Sequence, residues 1–209
     1  MISVKGKEKQ FYLNILDNFF SKVDRYEPIN IENINFSFFS GEKYEVFYGI
    51  TKIVLVPKNK GARYVLKMPI IKNFMGTKNY CEEEVIAFQC WEDSGFQDLF
   101  AEVDFFTEIG ENLVYIQERA NVTHYTTSDG DDYDNIYRTR GLNLRTVEEA
   151  ERANISPELI KILLNNYSSE EVEEFLNYCE AYNTNDLHSG NFGYSEKTKL
   201  PLIFDYSGI

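Results

Sequence analysis

Cysteine, histidine and proline are scarce in this 209-residue chain: three, two and five residues respectively. The cysteines, at 81, 90 and 179, form an odd and widely spaced set. That argues against a disulfide framework and fits a reducing compartment. The two histidines, His124 and His188, give no zinc-ligand spacing with them. Basic side chains are outnumbered, 21 Lys and Arg against 34 Asp and Glu, for a formal net charge of −13. A nucleic acid or an anionic membrane surface is therefore a poor main partner. No apolar run approaches the ~20 residues of a membrane span. The opening stretch MISVKGKEKQFYLNIL has neither the long apolar region nor the small-residue cleavage site of a secretion signal. The expectation is a cytoplasmic protein with no membrane span and no nucleic-acid partner.

Aromatic residues are abundant: 16 Phe and 15 Tyr among 43% apolar residues. That supplies a core for one domain or two small lobes. Residues 7–23 read as a helix whose Phe11, Ile15 and Phe19 recur every fourth residue, a packing stripe. Then come INFSFFSG, ITKIVLVPKN and ARYVLKMPI, aromatic and β-branched, which read as three antiparallel strands. TKNYCEEEVIAFQCWEDSG reads as a helix ending at Gly95. AEVDFFTEIG and NLVYIQERA read as two further strands turning at GEN. A connector near 118–121 separates this β-rich part from a helical one. One helix there starts at Ser156, with Pro157 in its first position. A second starts near Ser168 with a capping box to Glu171, and its apolar face is Val172, Phe175, Leu176 and Cys179. The acidic run Asp129, Asp131, Asp132 and Asp134 is not a calcium loop. The glycine and glutamate such a loop requires at its sixth and twelfth positions are Asp134 and Arg140 here, so it reads as a solvated loop.

The C-terminal stretch NTNDLHSGNFGYSEKTKLPLIFDYSGI carries the strongest chemical signal. Asp186 and Asn191 stand in a D-x-x-x-x-N spacing. Phosphoryl transfer needs an acceptor for the incoming hydroxyl's proton and a nearby amide oxygen for magnesium. Fourteen residues after Asn191, Asp205 follows LPLIF, an apolar run that reads as a buried strand.

With those residues in view, positions 36–209 resemble the protein-kinase-like superfamily, which includes protein kinases and the aminoglycoside and choline kinase branch. The D-L-H-x-x-N form of the loop is frequent in the antibiotic and small bacterial kinases. The resemblance implies an α+β fold of two lobes, with a five-stranded antiparallel N-lobe and a reduced helical C-lobe. It divides the chain into an N-terminal helical extension (1–35), an N-lobe with hinge (36–120) and a C-lobe with catalytic loop and metal motif (121–209). It implies ATP and Mg²⁺ as cofactors. Asp186 becomes the residue that orients the nucleophile, and Asn191 and Asp205 become the metal ligands. Lys67, in YVLKM, becomes the phosphate-binding lysine.

A helix behind Lys67 should supply a glutamate to pair with it, and Glu82, Glu83 and Glu84 are in line, with Glu82 the weakest because Gln89 stands seven residues on. Glu84 shares its face with Ala87, Phe88 and Trp91, and Glu83 shares its own with Ile86, Ala87 and Cys90. Glu84 is the better choice and Glu83 the runner-up. The resemblance places Gln117 at the back of the adenine pocket, and Glu118 and Ala120 would then offer backbone groups to the base. Gly49, 18 residues before Lys67, suits the last glycine of a phosphate loop. The surrounding SGEKYEVFYGI lacks the middle glycine and reads as a longer loop, with an ordinary hairpin turn as the alternative. His188 stands where many kinases place a lysine facing the γ-phosphate. The alternative role is a hydrogen bond that steadies the loop.

Asn185 replaces the arginine of regulated kinases, DYSGI stands for D-F-G, and the sequence closes at Ile209. The expectation is a kinase core without an activation segment, of the kind carried by bacteria, phages and effector sets. The implied activity is phosphorylation of protein Ser/Thr hydroxyls. A small-molecule hydroxyl acceptor and an ATP-binding pseudokinase that works by partner binding are the alternatives.

Overall fold

A computed structural model describes residues 1–70, 78–122, 155–182, 184, 186–188 and 190–206. The acidic stretch 129–134, His124, Asn185 and the SGI of DYSGI lie outside them. The chain divides into two compact units, Met1–Val85 with Glu102–Arg119, and Ile86–Ala101 with Ala120–Ile209. The fold is α+β, and among the described residues no helix is long and apolar enough to cross a membrane.

The first unit is a five-stranded antiparallel sheet with helix α1 (Gly6–Phe20) on one face. Its strands are β1 (Tyr44–Tyr48), β2 (Lys52–Pro57), β3 (Tyr64–Pro69), β4 (Val103–Ile109) and β5 (Asn112–Glu118), in spatial order β1-β2-β3-β5-β4. Side chains alternate between the faces of a strand. Ile53 and Leu55, Leu66 and Met68, and Val114 and Ile116 therefore share one face, and all are buried in one core with Tyr12, Leu16 and Phe19 of α1. Helix α1 starts without a side-chain cap. Its stability comes from this packing, at about 1.5–3 kcal/mol per large apolar side chain buried. The opposite face carries Lys52, Val54, Val65, Lys67, Tyr115 and Gln117, aligned by the pairings Val54↔Lys67, Lys67↔Tyr115 and Val65↔Gln117.

Two expectations for this unit change. INFSFFSG is not a strand: Phe36–Phe39 form a 3₁₀ turn whose preceding Asn35 accepts a hydrogen bond from the Ser37 N–H. The side chain offers the backbone a local partner in place of a sheet ladder. The first strand lies further on, inside SGEKYEVFYGI, with Tyr44 fully buried. The link from β1 to β2 is thus only Gly49–Thr51, closed by the Gly49 N–H donating to the Lys52 carbonyl, 3.0 Å. The longer loop read from the sequence is not there. At GEN, as expected, β4 turns into β5. Gly110 has φ +60°, and a Cβ there would lie 1.9 Å from the Arg25 carbonyl oxygen, so only glycine fits.

Helix α2 (Tyr80–Cys90) gives its first residues to the first unit and its last to the second. The second unit holds α3 (Pro157–Asn166), α4 (Ser169–Ala181) and a two-stranded hairpin of β6 (Phe192–Tyr194) and β7 (Pro201–Ile203). Ser156 caps α3 through the Glu158 N–H, Pro157 takes the first position, and Ser168 and Glu171 complete the capping box of α4. Strand β7 is the buried apolar run expected before Asp205, and its partner β6 has no comparable signal in the sequence. Trp91 anchors the core, stacked on Phe100 at 4.3 Å and near Phe175 at 5.6 Å. Such aromatic contacts add about 0.5–1.5 kcal/mol each beyond area burial.

Candidate functional site

In the first unit, Lys67 stands in the middle of β3, a strand buried along its whole length. Period-two alternation turns its side chain away from α1, toward α2. Glu84 of α2 is fully buried and receives it: Lys67 Nζ lies 2.8 Å from Oε2 and 3.1 Å from Oε1. Of the three candidate acids, Glu84 is the one Lys67 meets. Glu83 points outward to a partly exposed ion pair with Lys78 at 3.3 Å. The helical reasoning explains the choice. Trp91, on Glu84's face, is wholly buried, whereas Ile86, on Glu83's, is half exposed.

A second lysine, which the sequence reading did not single out, joins the pair. Lys52 Nζ lies 2.7 Å from Glu84 Oε1, and Lys52 is 5% exposed. One buried carboxylate therefore holds two ammonium groups. The available signal was periodicity: Lys52 precedes Val54 by two and lies on the Lys67 face. A lysine opening a strand usually reaches solvent instead. Next on this face, Tyr115 accepts a hydrogen bond from Asn79 Nδ2 at 2.8 Å. Burial holds its phenol above the ordinary range, and the Asn79 bond only partly offsets this. Gln117 follows one same-face step along β5, 1% exposed, with no hydrogen-bond partner for either amide atom. Glu118 donates its N–H to the Glu102 carbonyl at 2.8 Å. Gly49 sits at the tip of the β1–β2 hairpin with open space around it.

In the second unit, the loop carrying Asp186 is held at several points. Upstream, Thr184 accepts from the Trp91 indole N–H at 3.2 Å and donates its own N–H to the Cys179 carbonyl. The Leu187 carbonyl accepts from the Ser156 N–H at 3.0 Å. Downstream, Asn191 Nδ2 donates to the Asp186 carbonyl at 2.8 Å, and the Asn191 carbonyl accepts from Phe204 N–H. That uses the amide nitrogen of Asn191 and leaves Oδ1 as the oxygen it could offer a ligand. Asp186 itself has φ +62°. His188 Nδ1 accepts from the Gly190 N–H at 3.0 Å, which is the loop-steadying bond, while Nε2 lies 3.9 Å from Asp186 Oδ2. With Nδ1 accepting, the neutral ring carries its proton on Nε2. Asp205 lies two residues beyond β7, and the adjacent Tyr206 donates its hydroxyl to the Ala101 carbonyl at 2.8 Å. Ala120 opens this unit's second segment, and the following Asn121 exchanges backbone hydrogen bonds with Tyr194.

Asn191 Oδ1 and an Asp205 carboxylate are hard oxygen donors of the kind magnesium takes, with phosphate and water oxygens completing its shell. Among the described residues, no cluster of three or more His, Cys, Asp or Glu side chains gathers for a metal. No protein-family model, no curated protein and no solved structure matches this chain.

Proposed function

We propose that this chain is an Mg-ATP-dependent phosphotransferase with a two-lobed protein-kinase-like fold, transferring the γ-phosphoryl group to a protein Ser/Thr hydroxyl. The observation that carries this reading is the buried Lys67–Glu84 ion pair. A buried ion pair is a poor stabilising device, since apolar residues of the same volume would serve as well or better. Its presence calls for a functional reason, and positioning a polyphosphate is the one that also accounts for the D-x-x-x-x-N loop.

In this reading Lys67, oriented by Glu84, binds the α and β phosphates. Asn191 Oδ1 and the Asp205 carboxylate would hold Mg²⁺, which would supply charge neutralisation on the phosphates. Asp186 orients the acceptor hydroxyl and takes its proton as the new O–P bond forms and the bond to the β-phosphate bridging oxygen breaks. His188, through its loop bond, keeps Asp186 in place.

A second reading, an ATP-binding pseudokinase, gains from the three-residue β1–β2 link with its single glycine, which gives phosphates little of the usual backbone cradle. Incubation of the full chain with labelled ATP and Mg²⁺, with and without cell lysate, separates the two. Label on protein supports the protein kinase. Label only on small molecules moves the acceptor to that class. Nucleotide binding without any transfer replaces the enzyme with the pseudokinase. Absence of both binding and transfer overturns the reading.

A further inference from the structure

A lysine at the start of a strand ordinarily carries its ammonium out to water. Lys52, the first residue of β2, instead buries it, with Nζ 2.7 Å from Glu84 Oε1. Withdrawing an ammonium from water costs free energy, and Glu84 is already engaged by Lys67, so the burial of Lys52 asks for a cause. The sheet register supplies one. Lys67 pairs with Val54, and Lys52 lies one same-face step before Val54 on the neighbouring strand. The two ammonium groups therefore reach one carboxylate from two strands. Lys67 spans both of its oxygens, at 2.8 and 3.1 Å, and Lys52 takes Oε1.

A carboxylate met by a single lysine can turn about its last torsion, which is broad and roughly two-fold, or move off with its helix. A carboxylate met by lysines of two strands can do neither without losing contacts to both. Helix α2 is tied to the sheet at its start as well. Asn79 Oδ1 accepts from the Cys81 and Glu82 N–H groups, and its Nδ2 donates to the hydroxyl of Tyr115, the cross-strand partner of Lys67. We propose that Lys52 is a positioning residue, which pins the Glu84 carboxylate and through it holds the Lys67 ammonium where it meets the phosphates. This assignment rests on the nucleotide-binding reading above. It puts no ligand on Lys52 itself, and it makes the geometry of the Lys67–Glu84 pair a property of the folded sheet and helix.

The test is a double-mutant cycle of Lys52→Met and Glu84→Gln in the full chain. It is read as Mg-ATP affinity by titration calorimetry and as kcat/KM for label transfer, below the melting transition of every variant. Lys52→Met keeps length and loses the charge. Each single variant should weaken Mg-ATP binding about 10–100-fold, the worth of a hydrogen bond to a charged group that a displaced Lys67 no longer makes well. The double variant should stay within about twofold of the weaker single one, because both changes act through the same carboxylate. A Lys52→Met protein that melts lower but keeps its affinity and transfer would make Lys52 a structural residue and overturn the assignment. Losses that multiply in the double variant would put Lys52 directly on the ligand and overturn it too. If circular dichroism shows Lys52→Met unfolded, the cycle is run with Lys52→Arg, which keeps a cation and displaces it, and the same outcomes decide. Absence of Mg-ATP binding in the parent would overturn the nucleotide-binding reading, and this assignment with it.

Discussion

Replacing Glu84 with glutamine preserves shape and removes the carboxylate charge that faces Lys52 and Lys67. Lys52 and Lys67 would then face a neutral amide, each with its ammonium already withdrawn from water. Removing one partner of a buried ion pair costs about 3–5 kcal/mol, most of it the desolvation left uncompensated on the survivor. In a chain of this size each kcal/mol lowers the melting temperature by about 2–4 °C, so the expected fall is about 6–20 °C. Glu83→Gln is the internal control. It sits one residue away and removes the same charge, but its pair with Lys78 is partly exposed. Such pairs contribute about 0–1 kcal/mol, so the control should move by less than about 4 °C. Thermal unfolding followed by circular dichroism in low and high salt completes the comparison. The small Glu83 effect should shrink with salt, and the Glu84 effect should persist, because buried pairs are poorly screened. If the two variants melt together, the buried charges are not organised by Glu84 and the argument for Lys67 loses its basis.

Asp186→Ala should leave Mg-ATP affinity unchanged and lower transfer by about 10²–10⁴, whereas Asp205→Ala should weaken Mg-ATP binding itself; parallel measurement of affinity and label transfer checks both. Burial pushes the Tyr12 phenol up to about 12, so its folded-state preference for the proton is complete below about pH 10 and is lost as pH rises toward about 12. Tyr12→Phe removes this alkaline loss but unpairs the Tyr64 N–H that the hydroxyl accepts from. Urea midpoints should place it about 1–3 kcal/mol below the parent at neutral pH, with the gap narrowing as the buffer passes pH 10. Gly110→Ala should cost more than about 1 kcal/mol by chemical denaturation, because its Cβ would collide with the Arg25 carbonyl. Gly49→Ala, in open space and without a positive φ, should stay within about 0.5 kcal/mol.

What the sequence made legible follows from the range of the interactions concerned. Capping is local, so Ser156, Pro157, Ser168 and Glu171 could be read letter by letter, and the structure shows each in its capping place. Helical periodicity separated Glu84 from Glu83 because only one face of α2 is buried. The first strand was misplaced because INFSFFSG and YEVFY are equally aromatic. The deciding factor was one Asn35 side chain, which composition does not weigh. Lys52 and the Trp91–Thr184 bond were missed for a different reason. Both join residues far apart in sequence, 32 and 93 positions, and no spacing rule links them. Gln117 was chosen by resemblance alone. That its amide lacks partners is visible only once the neighbouring strands are in place.

The backbone at Asp186 adds an argument independent of any motif. Among the described residues, two non-glycine residues have left-handed φ, Asp186 and Lys199. Lys199 lies in the loop joining β6 to β7, where a tight reversal needs such a residue, and its N–H closes the turn onto the Ser195 carbonyl. Asp186 has no strand pair to reverse. Aspartate tolerates this conformation better than most residues, yet residues held in sparsely populated backbone regions cost of order 1–3 kcal/mol and persist where their surroundings impose them. The surroundings here do so from both sides: Thr184 is bound to Trp91, Leu187 to Ser156, and the Asp186 carbonyl to Asn191. Asn191 is also the proposed metal ligand, so one side chain would fix the geometry of the proposed base and present an oxygen to the cation. A loop serving only as a connection could relax at Asp186. A loop that must hold a carboxylate steady against an incoming hydroxyl could not.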